Sequence, residues 1–523
     1  MIGVGIRMLD RVTIPKNLLI LHYHLRPGGV RRVIEMYLPA LAASGAFDTI
    51  TLASGDSPDK TWADQVKTSV KGVRFTIRTE PVLSYLTANA ADSARIRQEI
   101  GAFLARSAGQ ETLVWAHNLG LARNILLADE LARFSAEKDV PMLSQHHDFW
   151  FDNRWARWPG LRANGFGSLE KVAKAIFASG SRVVHAAINS ADERLLDKHM
   201  PARTVWLPNP TGPRARPSRG EIRSAGEWLR RELGHRGPAW IFPTRFLRRK
   251  NIGEAVLLTR WLRPEATLVT TAGVSSPEES GYARRLEEAA KRGGWPVRFR
   301  ILAGRDGRSP SVPALMCASE NVLLTSIQEG FGLPFLETAA LGLPLLARRL
   351  KNVEPDLVRL GFRFPGLYDE ALIPQEMFDH AAERKRQEVV YRGWKQSLPQ
   401  ACRHLAGTPL LLGTKANAPI PFSRLTPDAQ LEILSIPPAE SWRAAAPCNP
   451  GLLAVKDSSM QPVEWPEKTD ALISPAACAA RLLEAVRRMP ESRMAGREAA
   501  RTQDAFIAER LKPEFLYPLL MKA

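Results

Sequence analysis

Short aliphatic runs recur along this chain, each followed by a polar or glycine-containing loop and then by apolar residues at helical spacing. The first run is Asn17-Leu-Leu-Ile-Leu-His-Tyr-His24, which reads as a strand buried on both faces. Pro27-Gly28-Gly29 follows, and Val30, Val33, Ile34, Tyr37 and Leu38 then share one helical face. Further strands are read at 112–116, 141–145, 183–189 and 204–207, and a second series at 239–243, 266–272, 297–303 and 321–326. Such alternation predicts α/β architecture with parallel sheets wrapped by helices.

At 523 residues the chain exceeds what one hydrophobic core usually supports, so two domains are expected. Pro208, Pro210, Gly212, Pro213 and Pro217 form a breaker-rich stretch that sets the first boundary. The reading is a first domain over 1–212, a second over 213–485, and C-terminal helices over 486–523 that pack back across the junction. Between about 395 and 465 the periodicity weakens, and the segment is read as an insertion.

Charge narrows the partners. The formal net charge is +18, concentrated in clusters such as Arg31-Arg32, 245–250, Arg284-Arg285 and Arg348-Arg349. A basic field suits an anionic membrane surface or a substrate bearing phosphate or carboxylate, and the alternative is a solvated basic surface with no such partner. No stretch interleaves aromatic and basic residues as nucleic-acid modules do, so no nucleic acid is expected. Cys317, Cys402, Cys448 and Cys478 lie far apart and read as isolated buried thiols of a reducing cytoplasm. Arg7, Asp10, Arg11 and Lys16 interrupt any signal-peptide core, and no apolar run is long enough to span a membrane. The expected location is cytoplasmic, with any membrane contact peripheral.

In open parallel sheets ligands sit beyond the carboxyl ends of the strands, where helix N-termini present free N–H groups. The loops that fall there hold 25–29, His117-Asn118, His146-His147-Asp148, 245–251 and 328–334. In Glu329-Gly-Phe-Gly-Leu-Pro-Phe-Leu-Glu337, one acid lies in the loop and the other in the first turns of the helix, while Gly330 and Gly332 allow close backbone approach. One carboxylate can hold sugar hydroxyls and the other ribose hydroxyls. The alternative is an exposed loop acid and a second acid that complements the helix dipole. Arg245-Phe-Leu-Arg-Arg-Lys250-Asn251 places cations between a strand and a helix, which suits a diphosphate.

With these residues in view, the chain resembles the family-4 (group 1) retaining glycosyltransferases, which have the two-domain GT-B fold and use nucleotide-sugar donors. Four motifs carry the likeness: Pro27-Gly28-Gly29-Val30, His147-Asp148, Arg245 with Lys250, and Glu329 to Glu337. Lesser echoes are Ile188-Asn-Ser190, Leu207-Pro-Asn209 and Ala340-Leu-Gly-Leu-Pro344. The resemblance implies two Rossmann-like doubly wound domains facing across a cleft, on which Glu329, Glu337, Arg245, Lys250 and His147 converge. It implies donor binding by Gly28, Gly29, Arg245, Lys250, Glu329, Gly330, Phe331, Gly332, Leu333 and Glu337. Catalytic roles fall to Glu329, His147, Arg245 and Lys250, and acceptor-side candidates are His117, Asn118, His146 and Asp148.

The implied reaction moves a hexose from a UDP- or GDP-sugar to a glycan, lipid or small acidic acceptor, without a metal or other cofactor. For His117 or His146 alone, a structural histidine is the plainer reading. Departures from the family pattern begin after Pro344, where Arg348-Arg349-Leu-Lys351 and Glu354-Pro355 replace a small, glycine-containing region. Competing readings are a sugar-nucleotide epimerase, a glycogen phosphorylase-like transferase, and a non-catalytic GT-B homologue acting as scaffold or regulator of a partner transferase.

Overall fold

The computed structural model describes residues 13–521 except 87–91, 213–214, 235–236, 275–276, 306–308, 415–417 and 458–459. Arg7, Asp10, Arg11, Pro213 and Lys415 therefore lie outside the described residues. The chain forms two compact units, Met1–Thr211 with Asp470–Ile507, and Gly212–Thr469 with Ala508–Ala523. The sequence reading assigns 470–485 to the second domain, whereas the fold places these residues in the first unit. Its C-terminal segment, 486–523, is divided at Ile507 between the two units.

The first unit contains a seven-stranded parallel sheet. Its strands are β1 (Asn17–His22), β2 (Thr49–Ser54), β3 (Arg74–Thr79), β4 (Thr112–His117), β5 (Met142–His146), β6 (Val183–Ala187) and β7 (Thr204–Trp206). Their order is β3-β2-β1-β4-β5-β6-β7. β4, β5 and β6 are buried at every residue, because helices cover both faces of a parallel sheet. β2 and β3 lie beyond the strands read from sequence; β3 alternates polar and apolar residues at the sheet edge and lacks the continuous apolar signal. The Pro475–Arg487 helix packs on the Gly29–Ala43 helix. The Gly496–Arg510 helix brings Phe506 within 4.7 Å of the Phe149 ring, and its Gln503 accepts a 3.3 Å hydrogen bond from the Trp150 indole.

The second unit repeats the plan with β8 (Ala239–Phe242), β9 (Thr267–Thr270), β10 (Val297–Arg298), β11 (Asn321–Leu324), β12 (Leu345–Arg348) and β13 (Gly366–Tyr368). Its order, β10-β9-β8-β11-β12-β13, is again wholly parallel. The strand expected over 297–303 stops at Arg298, and Arg300 adopts a left-handed backbone (φ 55°) that turns the chain out of the sheet.

The Ile252–Leu262 helix is buried at every residue. One side lies on the sheet, and helices Pro427–Ser435, Pro438–Ala445 and Pro450–Asp457 cover the other. The insertion expected over 395–465 is thus a helical shield that contributes Ile420, Phe422, Ile433 and Leu434 to the core of the unit. Its periodicity is weak because these helices are short and begin at prolines, which suit the first turn where no N–H partner is needed.

Arg348, one of the departures from the family pattern, is 2% exposed and ion-paired with Glu254 and Glu370. Tyr368 adds a 2.6 Å hydrogen bond to Glu254, and Ser423 donates to Glu370 at 2.8 Å. The arginine that sequence reading places among surface charges is an interior tie between sheet, helix and shield. Of the cysteines, Cys402 and Cys478 are buried, Cys317 and Cys448 are half-buried, and all four are free thiols.

Candidate functional site

Each sheet reverses its strand order at one point, between β1 and β4 in the first unit and between β8 and β11 in the second. Crevices at such reversals are where open α/β sheets bind ligands. The loops singled out from sequence follow these strands.

In the second unit, β8 leads through Arg245 to a 3-10 turn, Arg248–Lys250, and on to the Ile252–Leu262 helix. β11 leads to Glu329 and then to the Leu333–Ala340 helix, which Gly332 caps with a left-handed backbone (φ 82°). A side chain at Gly332 would place Cβ 2.6 Å from Val353 Cγ1, so glycine is required there on both counts. The two loops are joined through the backbone, as Ile327 N–H donates to Arg249 O at 2.8 Å. Thr325 Oγ1 reaches the carbonyls of Lys250 and Asn251 at 3.0 and 2.9 Å.

Lys250 and Glu329 form a direct salt bridge, with both side chains below 10% exposure. Arg249 Nη1 adds 2.9 Å contacts to Glu329 Oε2 and to Gln328 O, and Asn352 Nδ2 holds Glu329 O at 2.6 Å. Burial alone would raise the Glu329 carboxyl, but Lys250 and Arg249 hold it down at about 2. Burial lowers the Lys250 ammonium to about 8, with Arg249 and Arg245 working in the same direction and Glu329 against them. The two residues to which the resemblance assigns separate roles therefore hold one another. Arg245 is exposed on the same loop. Gly330 and Leu333 are half-buried, Phe331 is buried, and Glu337 is half-buried on the helix that follows. Sequence reasoning did not single out Arg249 or Asn352. Arg249 was visible only as one charge in a basic run, and Asn352 lies in the region treated as a departure.

In the first unit, Gly28 and Gly29 are exposed at the N-terminus of the Gly29–Ala43 helix, with room for a ligand to approach their backbone. Arg31 from the same turn donates to Leu25 O at 3.1 Å and pairs with Asp59 at 2.8 Å. His117 ends β4 and His146 ends β5, with His147 the next residue; all three are buried. His117 Nδ1 lies 3.1 Å from His147 Nε2, so one ring donates to the other. Asn118, at φ 65°, accepts from the backbone N–H of His147 at 3.3 Å and of Asp148 at 3.0 Å, which fixes the turn that carries both.

Burial, opposed by Asp148, holds His147 at about 4. Burial, His147 and His22 push His117 well below the usual histidine range, so the pair is neutral at pH 7. His146 faces elsewhere: it stacks on Phe149 at 5.0 Å and bonds His185 at 3.1 Å, a structural setting within the core. Asp148 is half-exposed and 3.4 Å from Arg154. His22, which ends β1 6.3 Å from the His117 ring, was not singled out from sequence. Its strand position matched core residues as well as site residues.

A two-unit molecule with this strand order in each sheet has a known counterpart. The fold is GT-B. Sucrose-phosphate synthase from Thermosynechococcus elongatus is similar over 89% of this chain and 97% of its own, with a TM-score of 0.50 and 15% identity. A structure of Anabaena Alr3699/HepE in complex with UDP-glucose gives a TM-score of 0.48 at 16% identity, over 68% of this chain and 85% of that one. Among curated proteins, mannosylglucosyl-3-phosphoglycerate synthase of Petrotoga mobilis is 25% identical over 361 residues, 65% of this chain; the match spans 66% of the relative's length. No protein-family model matches the chain. Among the described residues of this GT-B fold, no three His, Cys, Asp or Glu side chains group as metal ligands, and no helix is long and apolar enough to cross a membrane.

Proposed function

We propose that the chain is a nucleotide-sugar-dependent glycosyltransferase that moves a hexose from a UDP- or GDP-sugar to an acceptor hydroxyl with retention. The observation that carries this reading is the Lys250–Glu329 pair, buried beside Arg249 on the loops at the strand reversal of the second sheet of a GT-B fold. In this reading the second unit takes the donor. Arg245 and Lys250 neutralise the diphosphate, Glu329 takes a sugar hydroxyl, and Glu337 takes the ribose. The bond from the anomeric carbon to the phosphate oxygen breaks, the acceptor oxygen attaches on the same face, and its proton passes to the leaving phosphate. The cations supply the charge neutralisation that this step needs, so the proposal requires no metal.

The first unit takes the acceptor. His147, neutral at pH 7, would hold an acceptor hydroxyl while His117 fixes its ring. The name of the Petrotoga relative describes a glycoside of a phosphorylated acid, which supports an acidic small-molecule acceptor over a bare glycan or lipid.

Thermal stabilisation by a panel of nucleotides and nucleotide sugars tests the donor half, because a ligand bound only by the folded chain raises Tm. A shift with UDP- or GDP-sugars that disappears in Arg245→Ala and Lys250→Ala is expected. No shift with any nucleotide, in protein shown to be folded, overturns the reading and favours a scaffold.

A further inference from the structure

Three arginines, Arg123, Arg154 and Arg157, lie on the loops beyond β4 and β5 in the first unit, and Arg154 is ion-paired with Asp148. Arg157 is half-buried and donates to Leu121 O at 2.7 Å. Arg123 lies 4.9 Å from the Tyr85 ring, whose hydroxyl is 3.0 Å from His24 Nε2. Arg154 donates to Phe149 O at 3.2 Å and sits 3.4 Å from the half-exposed Asp148, next to His147. Burial first, and then the charges of Arg123 and Arg154, pull Arg157 down to about 9.

Some half-buried arginines of this chain meet acids, as Arg97 does with Asp129 and Glu130, both at 2.6 Å, and Arg248 with Glu279 at 3.2 Å, while others such as Arg403 bond carbonyls, here Leu398 O at 3.0 Å. Among the described residues, Arg123 and Arg157 have no ion pair of this kind. Gathering like charges while removing water from one of them is unfavourable unless an anion joins the group. A guanidinium fork fits the oxygens of phosphate or carboxylate.

We propose that Arg123, Arg154 and Arg157 form the acceptor's anion subsite, and that the acceptor is a small hydroxylated molecule carrying a phosphate or carboxylate. This rests on the transferase reading for the word acceptor; the anion subsite itself does not. A site built to bond an anion rejects neutral analogues, because its donors are then left unpaired. Acceptor selection therefore lies in the anion.

The test is binding of inorganic phosphate, 3-phosphoglycerate and glycerol to the full chain, read by ligand-observed NMR, with the nucleotide-induced Tm shift measured on the same samples. Phosphate and 3-phosphoglycerate are expected to bind and glycerol not. Arg157→Gln and Arg123→Gln should each weaken binding by about ten-fold while the nucleotide shift persists. Arg123 is exposed, so its variant remains informative if Arg157→Gln fails to fold. Arg443→Gln, an exposed arginine of the second unit, serves as the charge-matched control. Equal binding of glycerol, unchanged anion binding in Arg123→Gln, or binding confined to phosphatidate vesicles overturns the proposal. Anion binding that depends on these arginines in a chain that shows no nucleotide shift sinks the transferase reading and leaves the subsite standing.

Discussion

Three buried histidines of the first unit, His22 at the end of β1, His185 within β6 and His147 just after β5, lower its stability in acid. His147 and His185 are held at about 4 and His22 at about 3, against 6.5 for an ordinary histidine, with burial the largest cause for each. Between pH 6.5 and these values the unfolded chain binds protons that the folded chain refuses. Their contribution is therefore complete above about pH 6.5 and is lost as pH falls toward 4 and 3, by roughly 1.4 kcal/mol per unit of displacement. Glu329 acts in the same direction in its own window, because its depressed carboxyl stabilises above the ordinary value of 4.5 and loses that contribution toward about 2. Urea midpoints followed by tryptophan fluorescence at pH 7.5, 6 and 5 should fall steadily. Midpoints that stay level over this range would contradict the buried, neutral assignment. At this scale sequence alone singled out His147, His117, Lys250 and Glu329 through their loops, but not that His117 pairs with His147 or that Arg249 and Asn352 hold Glu329. Those contacts close between segments far apart in the chain, so no spacing reports them.

At the scale of elements, the wholly buried Ile252–Leu262 helix depends on the shield that covers it. Glu254 on that helix, Arg348 at the end of β12, and Glu370 and Ser423 beyond it form one polar network inside the unit. Removing one charge of a buried pair leaves the other stranded, so Arg348→Met should cost roughly 3–5 kcal/mol. The double variant Glu254→Gln/Arg348→Met should recover part of that loss in urea denaturation. A single variant as stable as the parent would show that the network carries no strain-relieving charge. Trp261 and Arg260 reinforce the same seam, with a 2.9 Å bond to Ser441 Oγ and a 2.5 Å bond to Leu434 O. The first four strands and the first helices of this unit were legible from their apolar runs, whereas β12, β13 and above all the shield were not. Its helices are too short to display a period, and their apolar faces make sense only against the helix they cover.

At the scale of the molecule, the first unit is built from two stretches separated by the entire second sheet. Phe506 stacks among Phe149, Phe151 and Phe177, and Gln503 receives the Trp150 indole N–H. A chain ended after residue 469 would expose this aromatic cluster and the face of the Gly29–Ala43 helix that the Pro475–Arg487 helix covers. Because that cut also removes 508–523, whose Leu519 belongs to the core of the second unit, the discriminating variant is Phe506→Ala, which is expected to open the first unit to limited proteolysis while the second unit keeps its protection; equal protection of both would refute the dependence. The sequence by itself determined that there are two parallel α/β sheets, where most strands begin, and which loops lie beyond their carboxyl ends. Those features follow from local apolar runs and turn residues, which act over a few positions. Tertiary structure alone decided that Arg348 is an interior residue, that 470–507 belongs with the first sheet, that Lys250 and Glu329 hold one another, and that Arg157 bonds the Leu121 carbonyl beside Arg123. Each of these depends on which distant segments meet, and burial and charge acquire their energies only after that meeting.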